Sequence, residues 1–117
     1  MTKINVTSEG NVLCLAEHTG KLYVACGGFN KIRVFTSTMP FSRFEDIDVQ
    51  GLEDPRDIAV CEKTSQLYIA DITQYTVWRV NLVSYKQIDK FIVMQWQPRN
   101  LGVRSSRLLI TPCDGAA

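Results

Sequence analysis

Residues 11–25 and 56–70 are near copies of one another, and this repeat constrains the fold more than any other feature of the chain. The two segments superpose at an offset of 45 residues without a gap. Glu17/Glu62, Thr19/Thr64, Leu22/Leu67, Tyr23/Tyr68 and Ala25/Ala70 are identical, while Leu13/Ile58, Leu15/Val60 and Val24/Ile69 keep their character. Five identities in fifteen positions are well above what a shared composition produces. The match resumes after a one-residue slip, with Ile32-Arg33-Val34-Phe35 over Trp78-Arg79-Val80-Asn81. The two copies end alike, at Asp54-Pro55 and Gln97-Pro98, and a third opens at Arg99. Such a chain is a row of equivalent supersecondary units, each needing its neighbours to bury an apolar face.

Within each unit, runs rich in β-branched and aromatic residues alternate with Gly, Ser, Thr and Asn turns. Strands are expected at 11–16, 21–26, 31–36 and 43–49, and again at 56–61, 66–70, 76–81 and 87–94. No segment holds a 3.6-residue apolar period, so no helix is expected. Four strands in 43–45 residues is the pattern of a β-propeller blade. The expected fold class is all-β, with propeller blades of four antiparallel strands in an incomplete ring. Residues 1–10 read as the outer strand of a preceding blade or an extension, 11–55 and 56–98 as blades, and 99–117 as a truncated blade. Side-chain size agrees. One face of each first strand is large (Leu13, Leu15; Ile58, Val60; Leu101, Val103), and the other is small (Cys14, Ala16; Ala59, Cys61; Gly102). That asymmetry lets stacked sheets nest, and it makes Cys14 and Cys61 small core residues. Closed rings hold typically four to eight blades, so this chain is expected to be a fragment of a longer protein. Self-association through open blade faces is the second account.

The run Pro55-Arg56-Asp57-Ile58-Ala59-Val60, then Leu67-Tyr68-Ile69-Ala70-Asp71, then Val77-Trp78-Arg79-Val80, resembles a blade of the NHL-repeat propellers. Asn30-Lys31-Ile32-Arg33-Val34-Phe35 matches the last element of that pattern. The Gly-His and Trp-Asp dipeptides of WD repeats are missing. Cys26-Gly27-Gly28 is similar to the double glycine of kelch blades, but Ala70-Asp71-Ile72 stands in its place in the second copy. The resemblance spans about residues 11–111 and implies a platform that binds a protein, or in some relatives RNA, on one face. A minority of similar six-bladed propellers are enzymes, such as lactonases, which carry carboxylates and histidines at the central channel.

Net charge is +1, which argues against a broad footprint for nucleic acid or an anionic membrane. No apolar run approaches the roughly 18–20 residues of a membrane span. The first residues lack the apolar core of a signal peptide. Cys14, Cys26, Cys61 and Cys113 form no C-x-x-C, so reduced thiols in the cytoplasm are expected. The one histidine, His18, lies in Glu17-His18-Thr19-Gly20 and is expected to be exposed in a hairpin turn. No nucleophile, phosphate-loop or zincin motif appears, and neither metal nor cofactor is expected. The expected function is therefore a non-catalytic protein-interaction module. The alternatives are a fragment of a lactonase-like propeller enzyme and an RNA-binding propeller. The candidate binding residues are Asn11, Arg56 and Arg99, which share a position at the entry to each first strand, together with Asp71 at a strand end and Tyr75 and Phe29 in or beside connections on the same side. Arginine beside aromatics suits a protein contact or single-stranded RNA.

Overall fold

A computed structural model of the chain describes residues 12–26, 30–36, 43–104 and 107–112. Asn11, Phe29, Cys113 and the strand expected within residues 1–10 lie outside the described residues. Ten strands follow one another: β1 (Val12–His18), β2 (Lys21–Cys26), β3 (Lys31–Thr36), β4 (Arg43–Asp48), β5 (Pro55–Cys61), β6 (Gln66–Asp71), β7 (Thr76–Asn81), β8 (Ile88–Val93), β9 (Pro98–Arg104) and β10 (Arg107–Pro112). They form three antiparallel sheets in chain order: β1 to β4, β5 to β8, and the hairpin β9–β10. No helix occurs among the described residues, and so none is long and apolar enough to cross a membrane.

The period is more regular than the sequence comparison indicates. β2, β3 and β4 open at Lys21, Lys31 and Arg43, and β6, β7 and β8 open 45 residues later at Gln66, Thr76 and Ile88. The one-residue slip inferred between the third strands is not there. Leu22 pairs with Phe35 as Leu67 pairs with Val80, and Val24 pairs with Arg33 as Ile69 pairs with Trp78. Arg33 therefore corresponds to Trp78, and Val34 to Arg79.

The irregularity sits instead in the first hairpin of each sheet. Thr19 and Gly20, with φ of 49° and 80°, make the two-residue turn between β1 and β2. Positive φ at both positions is what a tight hairpin turn requires. Between β5 and β6 the loop is 62–65, and it closes with Ser65 at φ 53°. The shorter first turn keeps His18 inside β1, opposite Lys21. This corrects the expectation of an exposed turn residue: His18 is 5% exposed, with Nδ1 3.8 Å from Glu62 Oε1 of the second sheet.

The main core lies between the two four-stranded sheets. The first sheet contributes Tyr23, Ala25, Ile32, Val34 and Ile47, and the second Ile58, Leu67, Ile69, Trp78 and Val80. At β1 the residues against this core are the small ones, Cys14 and Ala16, whereas β5 presents Ile58 and Val60 to it. β1 lies beside β5, and β5 beside β9. A polar contact crosses the same boundary, where the Tyr23 and Tyr85 hydroxyls are 2.9 Å apart. The hairpin is less covered. Leu108 and Ile110 are only half-buried, because β10 pairs with β9 alone among the described residues.

Candidate functional site

β5 and β9 each open on a buried proline, Pro55 and Pro98, and each departs from regular pairing at the next residue. Pro55 faces Asp71 and Asp57 faces Ala70, so Arg56 is the extra residue of a bulge. Pro98 faces Pro112 and Asn100 faces Thr111, so Arg99 is the extra residue of a second bulge. A proline has no N–H to give to the ladder, and a bulge beside it turns the following side chain out of the pleat. The repeat thus sets an arginine at the same irregular position in adjacent units. In β1 the irregular position is Leu13, so the first sheet has no such arginine there.

Three polar contacts fix these two positions relative to one another. The Asp57 carboxylate accepts from the amide of Ile58 at 3.0 Å and from the amide of Leu101 at 2.7 Å, which ties β5 to β9 next to both bulges. The Gln97 side-chain amide donates to the Ile72 carbonyl at 3.2 Å, holding the chain just before Pro98. Asp71 does the most. Its carboxylate accepts from the amides of Glu53 (2.9 Å), Asp54 (3.1 Å) and Gln74 (3.3 Å) and from the Trp78 indole N–H (3.2 Å). It thereby ties the segment leading into Pro55 to the β6–β7 turn. Gly51, at φ 94°, lets that segment pass over Trp78, whose ring would lie 3.2 Å from an added Cβ.

The expected site residues fall into three groups. Arg56, Arg99 and Tyr75 are exposed at one end of the second and third sheets, and Trp96 is exposed beside them. Tyr75 sits at φ 54°, and its carbonyl accepts the Met94 amide at 2.7 Å, so its ring is carried by an ordered turn. Asp71 is wholly buried and belongs to the scaffold of this face, because its oxygens are taken up by four donors. Asn11 and Phe29 lie outside the described residues.

Electrostatically the face is lightly committed. Arg56, with a side chain 41% exposed, lies 3.8 Å from Asp54, a distance and exposure at which an ion pair holds a guanidinium only loosely. Arg99 makes no ion pair among the described residues. Both guanidiniums can therefore fork onto a carboxylate. No group of three or more His, Cys, Asp and Glu is placed to hold a metal ion among the described residues. Gln97 and the reach of Asp57 to the next unit are not legible in the sequence. The only signal is the polar residue that follows each arginine, Asp57 and Asn100.

No model of a known protein family matches the chain, and no curated protein matches it in sequence.

Proposed function

We propose that the sheets are blades of an NHL-like β-propeller and that the chain works as a non-catalytic protein-interaction module. Its binding face is the end that carries Arg56, Arg99 and Tyr75. The observation that carries this reading is the recurrence of a bulged, exposed arginine after a buried proline in adjacent units. Exposed charge adds little to stability, so a repeated and rigidly supported arginine makes sense as a contact. The succession of four-stranded units at a period of 45 residues, with β1, β5 and β9 side by side, supports the propeller reading. A protein partner fits better than RNA, because the net charge is only +1. A lactonase-like reading has less support, since the one histidine lies at the opposite end of β1 from the bulges.

The test is affinity capture with the full chain, its Arg56→Ala/Arg99→Ala variant, and Lys63→Ala at the other end as control. The double variant should lose bound protein roughly ten-fold while its melting temperature moves by less than about 2 °C. The control should bind as wild type does. A double variant that unfolds readily, or that captures the same proteins equally well, removes this site.

A further inference from the structure

The net charge of +1 is unevenly distributed over the molecule. The turns of the hairpins β1–β2, β5–β6, β7–β8 and β9–β10 lie at one end. In the first two sheets this end is marked by His18 Nδ1, 3.8 Å from Glu62 Oε1, and by the Lys21 ammonium, 3.4 Å from the Tyr85 hydroxyl. β9 starts at the opposite end, where Asp57 holds the Leu101 amide and Gln97 the Ile72 carbonyl, so the turn after Arg104 returns to the first. At this end Lys21, Lys63, Lys86, Arg104 and Arg107 stand against the carboxylates of Glu17 and Glu62. At the other, Lys31, Arg56 and Arg99 stand against Asp48, Glu53, Asp54, Asp57 and Asp71. The near-neutral total thus conceals two ends of opposite sign. Lys86, Arg104 and Arg107 are exposed and make no ion pair among the described residues, whereas Lys63 is offset by the adjacent Glu62.

The same end holds an ordered apolar tip. Val83 is 83% exposed in the β7–β8 turn. The Asn81 side-chain carbonyl accepts the amides of Val83 (2.8 Å) and Ser84 (3.2 Å), and the Asn81 main-chain carbonyl accepts the Tyr85 amide at 2.8 Å. Alone, an exposed valine signifies little. Beside unpaired cations it makes the combination of charge and apolar tip that a lipid surface takes up. The cations share an end but belong to turns of different sheets. An anionic leaflet presents charge throughout a plane and needs no register with them, which a protein partner does. Single-stranded RNA asks for exposed rings on which bases stack. Tyr85, the one tyrosine in these turns, is half-buried, with its hydroxyl 2.9 Å from that of Tyr23.

We propose that this end docks on an anionic membrane surface, with Lys86, Arg104 and Arg107 over the lipid headgroups and Val83 set among them. Attachment is electrostatic and reversible. Each Lys or Arg at an anionic leaflet strengthens it roughly five-fold, and the valine adds a smaller apolar share. The opposite end carries the excess of carboxylates, which the same lipids repel, so docking turns the Arg56–Arg99 face toward solution. None of the docking residues belongs to that face, and the two readings stand or fall separately.

The test is co-sedimentation of the full chain with vesicles of phosphatidylcholine alone, or of phosphatidylcholine with roughly one-third phosphatidylserine. Binding is expected to the second and not to the first, and it should fall as added salt screens the surface. Lys86→Ala/Arg104→Ala/Arg107→Ala should weaken it on the order of a hundred-fold, and Val83→Ser roughly five-fold. Both variants should keep the wild-type melting curve, since all four side chains are exposed. Absence of phosphatidylserine-dependent binding overturns the proposal. So does binding that ignores either variant, or equally tight binding to a polyuridine strand, which assigns this end to polyanions at large.

Discussion

Asp71 places four donors on two oxygens inside the protein, and no water is needed to complete the set. Removing it strands the Glu53 and Asp54 amides and the Trp78 indole N–H. Asp71→Ala should therefore destabilise the fold by roughly 3 kcal/mol or more in urea denaturation, and Asp71→Asn, which keeps one acceptor, by less. Its identity was legible in the sequence as the last residue of Leu67-Tyr68-Ile69-Ala70-Asp71, but its partners were not, because Glu53 and Asp54 are seventeen or more residues away. Tyr23 and Tyr85 carry a pH dependence of their own. Both phenols are held above the ordinary value of 10.0, first because burial disfavours the phenolate, and for Tyr23 also because it is hydrogen-bonded to Tyr85. A raised phenol stabilises the fold fully below the unfolded value. Above it, the unfolded chain sheds protons that the folded chain keeps, so stability falls as the pH climbs. Melting temperature should drop between about pH 10 and pH 11, and less steeply in Tyr23→Phe/Tyr85→Phe.

At the scale of the element, periodicity made the strands readable and left their registers hidden. Alternation and β-branched content locate β2, β3, β6 and β7 to within a residue, because each is flanked by turn residues and packed on the core. Register depends on turn geometry, which residue type does not fix. Glu17-His18-Thr19-Gly20 and Glu62-Lys63-Thr64-Ser65 align letter by letter, yet one yields a two-residue turn and the other a four-residue loop. Gly20 accepts φ 80° without a Cβ penalty, whereas Ser65 closes the longer loop as its single left-handed residue. His18 is drawn into the strand by that difference alone. The arginine bulges were hidden for the same reason: Pro-Arg shows where a strand begins, not that the arginine falls out of step. Burial then grades the strands. Ile69, wholly buried in β6, should cost about 2–4 kcal/mol as Ile69→Ala. Leu109, 54% exposed in β10, should cost under about 0.5 kcal/mol as Leu109→Ala, by the same chemical denaturation.

For the whole molecule, the cohesion between sheets is uneven, and this decides how the chain opens. The two four-stranded sheets share a continuous core of fully buried side chains, fastened at one margin by the Tyr23–Tyr85 contact. The hairpin touches only β5 and β6 to any extent, its apolar side chains Leu101, Val103, Leu108 and Ile110 are half-buried, and its outer side at Gly102 is open. Local stability follows buried apolar contact, so β9–β10 should open without the rest. Two polar contacts resist that opening: Asp57 to the Leu101 amide, and Gln97 to the Ile72 carbonyl. The first is the stronger, since its acceptor is a carboxylate at 2.7 Å. Asp57→Ala should thus loosen the hairpin selectively. In native-state hydrogen exchange, amides of 98–112 should already exchange faster than those of β2, β6 and β7 in the wild type. In the variant the hairpin amides should speed up by roughly ten-fold or more, the loss of one charge-assisted bond, while the β6 amides hold their rates. Because the hairpin carries Arg99 on its bulge, its loosening also separates Arg99 from Arg56. Uniform acceleration across both sheets would mean instead that the hairpin is integral to the common core and that the three sheets open as one unit.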